Sequence, residues 1–302
     1  DTRLRNEIKA GKKTGPTILA ANEGITVEGG HMAGSVARVA KNNEEAKHFV
    51  EASYAQGVDL VKLMVTGGVL DAKEKGVPGE MKMPEDMIQT ICKKAHQLGL
   101  LTSAHVESTE GVKAALRNGV DSIEHGAKPD QEMIDLFKEK KAFLITTLSP
   151  ALPFALFDPS VSKVDDTQLF NGKMVFDGIV ECSKAALENH IPVGLGNDVG
   201  CPWITQYDFY RELVYFHKYV GVTNGFALYT ATLQNAILAG ISDVTGSIDA
   251  GKQADMIVVK ENPLDDLNAL KNIDIVFTKG KMVHPKIKRD KEIEKRLDAF
   301  CK

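Results

Sequence analysis

Short apolar, β-branched runs alternate with helix-like stretches between about residues 17 and 200, and this alternation constrains the fold more than any other feature of the chain. Parallel strands require a long crossover, usually a helix, so the pattern predicts repeated βαβ units. The strand candidates are TILAA (17–21), DLVKLMV (59–65), LLTSAH (100–105), DSIEH (121–125), AFLITTL (142–148) and IPVGLG (191–196). Between them, Asn43 or Glu44 opens a helix that runs to Gly57, and Pro84 with Glu85 and Asp86 opens another that stops at Gly99. In the latter, Met87, Ile88, Ile91, Cys92, Ala95 and Leu98 recur at the spacing of one buried face. Ser108 or Thr109 caps a third helix, closed by Gly119, and Asp130 starts a fourth that ends in the Lys138 to Lys141 cluster.

A chain of 302 residues accommodates two ordinary domains or one α/β barrel, and the repeated units favour the barrel. Beyond residue 243 the texture changes. GSIDAGKQADMIVVK (246–260), IDIVFTKG (273–280) and KMVH (281–284) read as short strands with glycine turns. The expected division is therefore a barrel over 1–243 and a small β appendage over 244–302, whose charged tail from Pro285 forms a surface helix or frays.

Charge narrows the partners. A net charge of −4, from 37 basic and 41 acidic residues, provides no field for nucleic acid or an anionic membrane. The most apolar stretch, 226–241, is interrupted by Thr230, Thr232, Gln234 and Asn235, short of what a spanning helix needs. Cys92, Cys182, Cys201 and Cys301 are scattered singly and read as free thiols. The expectation is a small-molecule or dipeptide substrate, no nucleic acid, no membrane, a homo-oligomer and a cytoplasmic setting.

The candidate chemistry sits at strand ends. In a parallel barrel the C-terminal ends of the strands all face the active-site mouth, and Lys62, His105, His125 and Asp198 occupy such positions. Each has an ordinary alternative: a hydrogen-bonded structural histidine, a surface lysine, an aspartate in the GLGNDVG turn. Together they supply imidazole and carboxylate ligands for zinc, with Asp198 placed for general acid and base work. An unmodified, desolvated Lys62 is instead a nucleophile for a Schiff-base lyase, which leaves the histidines without a task.

These residues, in this order, resemble the amidohydrolase superfamily, in which a lysine, two histidines and an aspartate on successive strands hold one or two divalent metals. EGGH (28–31), VKLMVTGGV (61–69), TSAHVES (102–108), SIEHGA (122–127) and GLGND (194–198) are similar to its branch of Xaa-Pro dipeptidase-like metallocarboxypeptidases. GSIDAGKQADMIVV (246–259) is similar to the family's return into a small β-sandwich. The resemblance implies Lys62, His105, His125 and Asp198 as zinc ligands, with Lys62 carbamylated, and hydrolysis of a C-terminal peptide or N-acyl amino acid bond by a metal-activated water. It places His31 beside the substrate carbonyl and makes Tyr210 and Arg211 candidates for a substrate carboxylate.

One departure stands out. The family carries a His-x-His pair on its first strand, and none of the eight histidines here is so arranged. Assigning TILAA to the third strand makes the opening DTRLRNEIKAGKKTG the helix after the second, which leaves a TIM-type (β/α)8 barrel truncated to about six strands with a partial C-terminal sandwich. Such a remnant exposes barrel edges, so the chain is expected to be completed by further sequence or by another subunit, or else to persist as an inactive fragment or subunit of a larger assembly.

Overall fold

A computed structural model describes residues 1–284 and 286–302. The chain divides into two units: residues 1–145 with 154–192, and residues 146–153 with 193–302.

The first unit is built on parallel strands β1 (Gly24–Thr26), β2 (Ala37–Val39), β3 (Leu60–Met64), β4 (Leu101–Val106), β5 (Ser122–His125) and β6 (Phe143–Thr146), in the order β2-β1-β3-β4-β5-β6. The register sets the strand ends level. Lys62 faces Ser103, Met64 faces His105, and Ser103 and His105 face Ser122 and Glu124. Side chains separated along the sequence are thereby brought to one rim.

The connecting helices begin where polar side chains satisfy the first free backbone N–H groups. Asn42 accepts from the Glu45 N–H at 2.9 Å, Ser108 from Gly111 at 3.3 Å and Asp130 from Met133 at 2.8 Å. The helix Glu85–Gln97 buries Met87, Ile88, Ile91, Cys92 and Ala95, the face its spacing predicts. The opening segment folds as the helix Thr2–Lys9.

The first strand differs from its expectation. The TILAA run is not a strand: the Asp59 carboxylate takes the Ala20 N–H at 2.8 Å, and the Asp59 N–H returns to the Ala20 carbonyl at 2.8 Å. These bonds pin an extended segment outside the sheet, with Leu19 exposed, and pairing begins at Gly24. The expected count of six is also one short over the same span, because Ala37–Val39 pairs in parallel with β1. Its Arg38, tied to Glu23, interrupts the apolar run that would have marked it.

The second unit holds β7 (Val193–Leu195) and a three-stranded antiparallel sheet of β8 (Met256–Val259), β9 (Ile273–Thr278) and β10 (Lys281–Val283). The Asn235 side chain grips Leu195 on both sides, accepting its N–H and donating to its carbonyl, each at 2.9 Å. The charged tail forms the helix Lys291–Asp298, while Pro285 lies outside the described residues. No helix among the described residues is long and apolar enough to cross a membrane.

Candidate metal centre

Alternation along β4 puts Ser103 and His105 on one face, and the next residue of that series is Glu107, just past the strand. His105 is 5% exposed. Its Nε2 lies 3.2 Å from the Gly67 carbonyl oxygen, so a neutral ring carries its proton there and its lone pair on Nδ1. Burial pushes the His105 pKa well below the ordinary imidazole value, and the nearby charges of His125, His31 and Lys62 push the same way. The ring is thus held neutral, the form that ligates metals.

β5 ends differently. His125 has φ +71° and Gly126 φ +84°, so two successive residues take left-handed backbone. That conformation is uncommon for a non-glycine residue and is a mark of constraint. Regular alternation would send Glu124 and His125 to opposite faces. The left-handed turn breaks it: Glu124 reaches Lys62 Nζ and Ser103 Oγ, while the His125 ring lies edge-on to His105 with centroids 4.7 Å apart.

One ligand atom from each of His105, Glu107 and His125 lies within 4.8 Å of the others. Two imidazoles and a carboxylate suit zinc and related divalent ions, so these residues fit the metal that the chemistry of strand-end ligands calls for. The loop after β3 braces the group. The Glu107 N–H is bound by Thr66 Oγ1 at 3.0 Å, and a Glu107 carboxylate oxygen accepts the Val69 N–H at 3.1 Å. On the other side, the His31 ring stacks on His105 with centroids 4.0 Å apart and planes within 4°. His31 Nδ1 meets the Asp71 carboxylate, and that hydrogen bond holds the Asp71 pKa below the usual carboxylate range.

Of the residues singled out in the sequence, the structure therefore brings His31, His105 and His125 together, with Lys62 close enough for its charge to act on His105. Asp198 belongs to the second unit, at φ +49° in an exposed turn where the Cys201 thiol donates to its carboxylate at 3.2 Å. Tyr210 and Arg211, also in the second unit, are buried. The Arg211 guanidinium is 2% exposed and donates to Asp298 at 2.7 Å, to Asp208 at 3.2 Å and to Cys301 Sγ at 3.1 Å. That is the geometry of a structural brace, not of an open carboxylate receptor.

Sequence reasoning passed over Glu107, Glu124 and Asp71. Glu107 had a signal, since it follows His105 by two in a strand whose period is two. Glu124 and Asp71 had none beyond lying next to His125 and the Gly67–Gly68 pair.

A model of the Amidohydrolase family matches residues 2–283 of this chain. The chain belongs to that family. It is 26% identical over 249 residues to ochratoxinase from Aspergillus niger, a match covering 81% of this chain and 50% of the relative. This amidohydrolase thus spans about half the length of the curated relative it matches. Among solved structures, a Bifidobacterium longum protein assigned as a prolidase is 38% identical with a TM-score of 0.91, covering 98% of this chain and 73% of that one. A Xaa-Pro dipeptidase with methionine bound in its active site is 30% identical with a TM-score of 0.82, covering 94% and 72%. These neighbours establish for this amidohydrolase an α/β fold of the barrel type.

Proposed function

We propose that this chain carries the metal-holding part of a hydrolase that cleaves a C-terminal peptide bond or an N-acyl amino acid bond. The observation that carries the reading is the convergence of His105, Glu107 and His125 within 4.8 Å. The similarity to a dipeptidase and to a protein assigned as a prolidase supports a dipeptide or acylated amino acid as substrate. His105, Glu107 and His125 would hold a divalent ion, which would supply Lewis acidity toward the scissile carbonyl and toward water.

The chain's own residues do the rest. His105 stays neutral through burial, so no proton competes for its ligating nitrogen. His31 contacts the substrate carbonyl. The Asp198 carboxylate takes the proton released as water adds to the carbonyl carbon and returns it to the amide nitrogen as the C–N bond breaks. Lys62, after its ammonium gives up a proton, would add carbon dioxide through Nζ and release a second proton, which turns a cation paired with Glu124 into an anionic carbamate that could serve as a ligand. The 1–243 barrel with its 244–302 appendage, and assembly as a homo-oligomer, belong to the same reading.

The test is metal content together with turnover. Elemental analysis is expected to find at least one zinc or comparable ion per chain, and Xaa-Pro or N-acyl amino acid substrates are expected to be cleaved in a chelator-sensitive way. Intact mass under native conditions is expected to show one added carbon dioxide, lost in Lys62→Ala. A metal-free chain that is instead trapped on a carbonyl substrate by borohydride would replace this reading with the Schiff-base lyase.

A further inference from the structure

Asp71 lies in the loop after β3 and was not marked by any pattern in the sequence. Its Oδ2 meets His31 Nδ1, and the same oxygen accepts the Gly68 N–H at 2.9 Å. A carboxylate oxygen only accepts, so the proton shared with His31 starts on Nδ1. The flat side of the ring is covered by His105, with 4.0 Å between centroids. Its edge is fenced by backbone: a Cβ on Gly68 would stand 3.2 Å from His31 Cε1 and 3.4 Å from Glu107 Oε2. A side chain at residue 68 would thus press on the His31 ring, and the imidazole is held by three independent contacts. Nε2 is the ring nitrogen that Asp71 does not engage.

We infer that Asp71 is a positioning residue for His31, fixing its ring and keeping the proton on Nδ1 so that Nε2 is the atom presented to the substrate. This rests on the hydrolase reading for its consequence in turnover, but not for its geometry. Outer partners of site histidines act in this way, by choosing tautomer and orientation. The loop that carries Asp71 also contacts His105 through the Gly67 carbonyl and Glu107 through the Val69 N–H. One short turn thus sets three side chains of the site at once.

The experiment has two arms. Nitrogen-15 NMR of the histidine rings, with His31 assigned by His31→Ala, is expected to show the Nδ1–H tautomer in the wild-type chain and its loss in Asp71→Ala. On an Xaa-Pro dipeptide, Asp71→Ala is expected to lower kcat by about 10- to 100-fold with bound metal unchanged. In the His31→Ala background it is expected to add nothing, since Asp71 acts through that ring. Asp71→Asn, which keeps the shape and one acceptor, is expected to fall between Asp71→Ala and wild type and guards against a folding defect. An Nε2–H tautomer on wild-type His31, or losses that multiply in the double variant, overturns the inference. Should no dipeptide be cleaved at all, the NMR arm still decides on Asp71, while the hydrolase reading fails separately.

Discussion

Two groups of buried or half-buried ionisable side chains, one in each unit, differ in what they gather. In the second unit Arg211 is answered by protein: Asp208, Asp298 and Cys301 take its donors, and Lys271 reaches the other Asp298 oxygen at 2.7 Å. Its neighbour Glu212 is fully buried and accepts the Leu148 N–H at 2.6 Å, the Ser149 N–H at 2.8 Å and the Ser149 hydroxyl at 2.5 Å. In the first unit the converging groups are two imidazoles and a carboxylate, with His105 driven neutral and its lone pair directed away from Gly67. A cluster whose cations and anions match among themselves holds a fold together. One that gathers electron-pair donors around a neutral imidazole has the donor set that suits a divalent cation. Buried charge alone therefore does not mark a site; the kind of donor atoms gathered there does.

The contrast is broken most severely at the ligands. His125→Ala and His105→Ala are expected to abolish stoichiometric metal and to reduce hydrolysis by more than the roughly 10- to 100-fold that an outer partner costs, while the folded chain survives. Elemental analysis and steady-state kinetics check this. If both variants keep full metal, the first cluster is scaffold like the second.

Next comes the brace. Arg211→Ala leaves buried Asp208 with only the more distant Arg289, at 3.7 Å, and is expected to cost up to about 3–5 kcal/mol of stability, read by chemical denaturation, with bound metal per folded chain unchanged. An effect on metal content larger than the effect on stability would merge the two clusters into one functional unit.

Glu212 sharpens the comparison through pH. Burial raises its pKa to about 7, against hydrogen bonds from Ser149 and Leu148 that lower it, and the charge of Asp198 raises it further. The folded state therefore holds a proton on Glu212 at pH values where the unfolded carboxyl, near 4.5, has already lost it. Stability from this group is full below pH 4.5 and declines as pH climbs to about 7, by on the order of 3 kcal/mol. Glu212→Gln cannot ionise and is expected to flatten that slope between pH 5 and 8 in urea titrations. An unchanged slope would show that Glu212 is already ionised in the folded chain.

The smallest expected effect is a control. Arg117 and Glu132 form a largely exposed ion pair, and Arg117→Ala is expected to cost less than about 1 kcal/mol and to leave metal content alone. Thermal melts and elemental analysis together check it.

How much of this was legible beforehand varied with the range of the interaction. The helix Glu85–Gln97 was readable because its burial repeats with the helical period, and Asp130 was readable as a cap because capping is settled within three residues. Lys62, His105 and His125 stood out as polar residues at the ends of apolar runs. TILAA misled because a single aspartate 39 residues away captured its backbone. Ala37–Val39 was invisible because three residues with a central arginine carry no usable pattern.

By itself, then, the sequence determined the alternation of strands and helices from Leu60 to Thr146, the caps at Ser108 and Asp130, and three of the side chains that line the rim. Those follow from local periodicity, where each residue's environment is set by near neighbours. The tertiary structure decided the company those side chains keep. His31 meets Asp71 across 40 residues and Lys62 meets Glu124 across 62, pairings that exist only because the β3–β4–β5 register and the left-handed turn at His125 bring them level. Register is a cooperative property of the packed sheet, so no stretch of sequence short enough to show a pattern contains it.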